Sequence, residues 1–124
     1  METPSASVGY FLVVDDEPLI RMDIAELISS CGYKPLEAGS TAEALRIIEV
    51  ENSSIVGLIT DVKMPGNRNG MVLANHVRVM WPHIRIIVLS AGRLPMSGEL
   101  PENTAFVAKP WTADQLVSMI SPRA

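Results

Sequence analysis

Asp15, Asp16, Asp61, Ser90 and Lys109 are residues whose types could do chemistry together, provided the fold gathers them. Asp15-Asp16 follows the apolar run Tyr10–Val14, and Asp61 follows Ile55–Thr60. Ser90 follows Ile84–Leu89, and Lys109 follows Ala105–Ala108. Carboxylates sharing a cleft repel one another: two unit charges ~4 Å apart at an effective dielectric of ~20 interact by about 4 kcal/mol. Either some are protonated or a cation neutralises them. Oxygen donors of this kind suit a hard, octahedral ion, Mg²⁺ or Mn²⁺. Cys and His are absent from these run ends, which disfavours zinc. A Mg²⁺ ion held by few carboxylates shares its open positions with phosphate. Phosphoryl transfer would then employ every group. The metal, the Lys109 ammonium and the Ser90 hydroxyl with backbone amides would each take an equatorial oxygen, and a carboxylate would act as the nucleophile, giving an acyl phosphate.

These residues converge only if the apolar runs are parallel strands. Each run is rich in Val, Ile or Leu and continuous, as strands buried on both faces are. Tyr33–Glu37, just after Gly32, is a weaker fifth strand. Helical spacing lies between the strands. Pro18–Ser30 has Pro at a helix-start position and Gly32 past its end. Ser40–Val50 opens with Ser40 and Glu43 in a capping-box pattern. Met71–Met80 follows, and Thr112–Ile120 begins with Thr112 as cap. Strand–helix alternation predicts parallel strands joined by right-handed crossovers, with helices on both faces. Ligands of such sheets sit outside the carboxyl ends of the strands, where these polar residues fall. Ser90–Asn103 is the exception: Gly92, Pro95, Gly98 and Pro101 leave room for a loop or a turn or two of helix.

The chain has 124 residues, 48% hydrophobic and 19% charged, which predicts one globular domain with a single core. The predicted domain spans residues 9–121, between a flexible tail at 1–8 and a short one at 122–124. A net charge of −4 gives no basic field for nucleic acid or an anionic membrane. One cysteine, Cys31, fits a reducing compartment and reads as a small hydrophobe at a helix end. The N-terminus lacks the basic and apolar regions of a signal peptide, and no apolar run approaches the ~18 residues of a membrane span. A cytoplasmic location is expected.

In this order and spacing the motifs resemble the receiver domain of bacterial two-component response regulators. They are Asp15-Asp16-Glu17-Pro18, Asp61 with Met64-Pro65-Gly66, Gly70 opening a helix, Ser90-Ala91 and Lys109-Pro110. The resemblance runs from about Tyr10 to Ile120. It implies a flavodoxin-like, doubly wound five-stranded parallel sheet, a (βα)5 three-layer sandwich with the fourth helix short or missing. It implies Asp61 as phosphoacceptor, Asp16 as direct metal ligand, Asp15 acting through metal-bound water, and the Lys63 backbone carbonyl completing the ligands of Mg²⁺ (or Mn²⁺). Ser90 and Phe106 match the switch pair, Lys109 matches the ammonium that pairs with the phosphoryl group, and a cis Lys109–Pro110 bond is implied. The implied partner is a sensor histidine kinase or histidine phosphotransfer protein, with an unnamed output partner and a phosphorylation-dependent homodimer in view. The short remainder after Ile120 is expected to make no nucleic-acid contact, so a stand-alone receiver or one cut from a hybrid kinase or larger regulator is expected.

Several features depart from the family pattern. The loop before Gly70 is one residue longer, Lys63 places a cation two residues past Asp61, and Trp111 stands where a smaller aromatic is usual. The Ser90–Lys109 interval is about one helical turn short, which bears on the usual output face. Taken singly, each site residue has a plainer reading: an acidic helix start for Asp15-Asp16-Glu17, a turn residue for Asp61, a capping hydroxyl for Ser90 and a solvated amine for Lys109. Their joint pattern reverses those odds. His76, His83, Arg78, Arg85 and Arg93 are expected at the surface, and Trp81 at a helix end. Three other functions share parts of this pattern. A small aspartyl-phosphate phosphatase usually has its acid two residues past the nucleophile, whereas Asp15 and Asp16 are adjacent. A nucleotide or flavin module would have a Gly-, Ser- or Thr-rich phosphate loop after the first strand. A degenerate receiver would have gaps in the site, and here the positions are filled.

Overall fold

The computed structural model describes residues 9–62, 70–90 and 103–121. In chain order the elements are β1 (Tyr10–Val14), α1 (Pro18–Ser30), β2 (Lys34–Ala38), α2 (Thr41–Glu51), β3 (Ile55–Asp61), α3 (Gly70–Met80), β4 (Arg85–Ser90), β5 (Thr104–Ala108) and α4 (Ala113–Ile120). The strands form one parallel sheet in the order β2-β1-β3-β4-β5. This is the expected doubly wound α/β arrangement. The short or missing fourth helix was placed between Ser90 and Asn103, and residues 91–102 of that stretch lie outside the described residues. So do both tails.

Strand alternation divides the core in two. Leu12, Val14, Leu58, Ile86 and Val88 face one side, where Ala44 and Ile48 of α2 and Leu73, Ala74 and Val77 of α3 cover them. Phe11, Val13, Ile59, Ile87 and Leu89 face the other, under Ile24 and Ile28 of α1 and Leu116 and Ile120 of α4. Burying one such side chain fully is worth roughly 1.5–3 kcal/mol, so the two layers hold the sheet between its helices.

Local signals decide where the elements stop. Gly32 has φ +94°, and its N–H donates to Ser29 while that of Tyr33 donates to Ile28, so α1 ends in a Schellman motif. Tyr33 spends its amide on that cap, which is why β2 begins at Lys34 and not at Tyr33. Ser40 caps α2 by accepting from the Glu43 N–H at 3.1 Å, while the Glu43 carboxylate accepts from Gly39 N–H. Thr112 and Gln115 cap α4 reciprocally. His76 and His83 are exposed, as expected.

Arg85 corrects the expectation of a solvated side chain. It donates to the carbonyls of Met119 at 3.1 Å and Ile120 at 2.9 Å, and its guanidinium lies 5.3 Å from the centre of the Phe11 ring. The last carbonyls of a helix lack intrahelical partners and carry its negative pole, so a cation opening β4 is drawn to the end of α4. Arg93 lies outside the described residues.

Candidate functional site

Parallel topology delivers the site. β1, β3, β4 and β5 end at one edge of the sheet, and Asp15, Asp61, Ser90 and Lys109 stand at or just past their carboxyl ends. Asp61 pairs in register with Leu89 and is 6% exposed. Lys109 Nζ donates to Asp61 Oδ2 at 2.6 Å across the width of two strands. The Lys109 N–H donates to the Ser90 carbonyl at 2.7 Å, so the backbones carrying the hydroxyl and the ammonium are bonded directly. The Lys109–Pro110 bond is cis, as the resemblance implied.

Asp15 is almost wholly buried, at 1% exposure, and all but one of its polar groups is engaged. Its N–H donates to the Ala38 carbonyl at 3.1 Å, and its own carbonyl accepts from Arg21 Nη1 at 2.8 Å. Its Oδ1 accepts from the Glu17 N–H at 2.9 Å. Oδ2 is the buried side-chain oxygen left without a hydrogen-bond partner among the described residues. Burial, chiefly, pushes the carboxyl above its ordinary 3.8. The Glu17 amide opposes this, Asp61 adds to it, Lys109 opposes it and Asp16 adds to it. Asp16 next to it is exposed.

The floor under Asp61 is equally close-fitting. Thr60, fully buried, donates through Oγ1 to the Asp61 carbonyl at 3.2 Å. The Gly70 N–H donates to the Val62 carbonyl at 2.9 Å, bringing the start of α3 against β3. Phe106, the expected switch aromatic, pairs in register with Val88 and packs, half-buried, on the layer beneath α2 and α3.

The expected residues Asp15, Asp16, Asp61, Ser90 and Lys109 are thus brought to one edge. Lys63 and the Met64-Pro65-Gly66 stretch lie outside the described residues. Among the described residues no three His, Cys, Asp or Glu side chains are gathered tightly enough to hold an ion by themselves. Arg21 was missed by the reading of residues alone. Its guanidinium reaches the Asp15 carbonyl and pairs with Glu37 at 3.0 Å, and no motif announces an arginine one turn into a helix. No helix among the described residues is long and apolar enough to cross a membrane.

Comparison with known proteins agrees with this geometry. A family model described as "Response regulator receiver domain" matches residues 11–121. Sporulation initiation phosphotransferase F of Bacillus subtilis is 32% identical over 108 residues, covering 85% of each chain. Transcriptional regulatory protein PdtaR of Mycobacterium tuberculosis is 32% identical over 112 residues, which are 88% of this chain and 53% of that protein, so the chain spans about half of that relative's length. A receiver-domain crystal structure from Clostridium thermocellum superposes with a TM-score of 0.77 at 32% identity, covering 91% of both chains. The fold, the carboxylate–lysine edge and these likenesses agree, and the chain belongs to the response regulator receiver domain family of two-component signalling proteins.

Proposed function

We propose that Asp61 accepts a phosphoryl group from a phosphohistidine of a sensor kinase or phosphotransfer protein, in a reaction that requires Mg²⁺ or Mn²⁺. The observation that carries this reading is the Lys109 Nζ–Asp61 Oδ2 contact at 2.6 Å. It sets a nucleophilic oxygen beside a fixed cation at the open edge of a parallel sheet. An Asp61 oxygen attacks phosphorus, the new O–P bond forms as the P–N bond breaks, and the imidazole leaves with its electron pair and takes up a proton. Lys109 holds negative charge on the transferring oxygens, and the Ser90 hydroxyl, buried beside it, donates to another.

The donor set suits a hard divalent ion. Asp15 Oδ2 is a buried oxygen with no hydrogen-bond partner among the described residues, Asp16 is exposed next to it, and Asp61 lies within Coulombic reach of Asp15. When bound, the ion would supply positive charge against the phosphoryl oxygens; Asp15, Asp16, Asp61 and the Lys63 carbonyl would hold it. The chain therefore assists its own phosphorylation and dephosphorylation without turning over an external substrate. Charge on Asp61 would shift a two-state equilibrium in which Ser90 and Phe106 move together, altering partner binding.

The test is incubation with acetyl phosphate and Mg²⁺, followed by intact mass. The wild type is expected to gain one acid-labile phosphoryl group, and none when EDTA is added beforehand. Phosphorylation of Asp61→Asn to the same extent would assign the acceptor elsewhere.

A further inference from the structure

The Asp15–Asp16 turn holds a buried carboxylate next to an exposed one. Asp15 is buried, its Oδ1 takes the Glu17 N–H and its own N–H is held by Ala38, which leaves its carbonyl to be fixed from elsewhere. That constraint comes from α1. Arg21, one turn into the helix, forks: Nη1 donates to the Asp15 carbonyl at 2.8 Å, while Nε donates to Glu37 Oε1 at 3.0 Å. The Arg21 side chain is only 20% exposed, so the bonds are sheltered from much of the solvent's competition. Glu37 belongs to β2, whose Val13↔Glu37 and Val14↔Ala38 pairs tie it to the strand that leads into Asp15. The Asp15 N–H is bonded to Ala38 in the same strand. The residue is therefore gripped at its amide by β2, at its carbonyl by an arginine anchored on β2, and at Oδ1 by the Glu17 N–H. Oδ2 alone remains.

We infer that Arg21, anchored by Glu37, is a positioning residue for the metal-binding turn, holding the Asp15 main chain so that Oδ2 is presented at the site. This rests on the reading of the site as a divalent-cation site. The bond Arg21 makes to Asp15 is to its main-chain carbonyl, so Arg21 acts through the backbone. The two kinds of action have opposite signs. As a nearby positive charge Arg21 would repel Mg²⁺, and removing it would tighten binding. As a positioner it aids Mg²⁺, and removing it weakens binding. Partners that orient metal ligands from behind are typically worth about 10–100-fold in affinity. Lysine cannot replace it, because one compact ammonium does not bridge two acceptors as a planar fork does.

The experiment is calorimetric titration of Mg²⁺ into the full chain, with urea unfolding of each variant in EDTA to show that it is folded. Arg21→Met is expected to raise the Kd about tenfold, and Arg21→Lys to recover only part of that loss. An unchanged or lower Kd in Arg21→Met, or full recovery by lysine, overturns the proposal. Should Arg21→Met not fold, Glu37→Gln carries the test: it keeps the guanidinium but weakens its anchor, and must also raise the Kd, an unchanged value overturning the role of the anchor. A wild type that binds no Mg²⁺ would instead sink the cation site itself, a result read separately from any variant.

Discussion

Gly70 rests directly against the main-chain carbonyl of Asp61: a β-carbon built on Gly70 would overlap that oxygen and stand 2.9 Å from Thr60 Oγ1. The atoms in the way are backbone and a buried hydroxyl, neither of which can swing aside. Gly70 also donates its N–H to Val62, so α3 cannot retreat without breaking that bond. The proposed acceptor's backbone is thus clamped between its own strand and the first turn of the next helix.

Gly70→Ala follows from this contact. Alanine favours the helix by roughly 1 kcal/mol over glycine. Overpacking against fixed atoms costs about 1–3 kcal/mol, so the clash is expected to win. The variant should show a lower urea midpoint with an unchanged slope, and slower phosphorylation by acetyl phosphate, since Asp61 is the residue displaced. A more stable variant would mean the α3 start yields easily.

Lys109→Met separates metal binding from transfer. Lys109 Nζ is the cation held 2.6 Å from Asp61 Oδ2. Without it the acidic edge gains net negative charge, and Mg²⁺ affinity by calorimetry should rise. The phosphorylation rate should nevertheless fall by ~10²–10³, the usual loss when one stabilising donor is removed from a transition state. Both quantities falling together would point to simple loss of structure.

The strand ends and the helix faces were legible because each leaves a local mark, a continuous apolar run or a 3.6-residue spacing, while the cis Lys109–Pro110 bond came only through the resemblance to receiver domains. The arginines were not. Arg85 was expected to be solvated and Arg21 drew no expectation, since sequence shows their charge but not the carbonyls they reach. Each serves a main-chain acceptor distant in the chain or across a turn: Arg21 that of Asp15, Arg85 those of Met119 and Ile120. Backbone carbonyls are present at every position, so no residue type marks where one will need a donor. The one-residue shift of β2 has the same origin, because the Tyr33 amide was claimed by a carbonyl of α1.

Asp15→Asn should reveal the cost of a buried carboxylate. Burial raises the folded-state value above the unfolded 3.8, so between the two the native state binds more protons than the unfolded chain. Stability therefore falls as pH rises through that window, and the full penalty persists above it. Asparagine does not titrate. In EDTA at pH 7 the variant should unfold at higher urea than the wild type, and the difference should shrink as pH drops towards 3.8. Mg²⁺ should stabilise the wild type, by about 2.7 kcal/mol at a hundred times Kd, and the variant much less.

Arg85→Met should damage the fold and spare the chemistry. Arg85 opens β4, at the opposite end of that strand from Ser90, and its two bonds hold the last turn of α4. Hydrogen bonds to a charged group contribute about 1.5–3 kcal/mol, and methionine retains the apolar contact over Phe11 but neither bond. The urea midpoint should drop accordingly. Arg85→Lys should recover little, since an ammonium cannot serve both carbonyls as the guanidinium does. The acetyl phosphate labelling rate, measured without urea where the variant is folded, should match the wild type, because the Asp61–Lys109 pair lies at the far edge of the sheet. A slowed rate in a folded Arg85→Met would show that the end of α4 and the site are energetically coupled through β4.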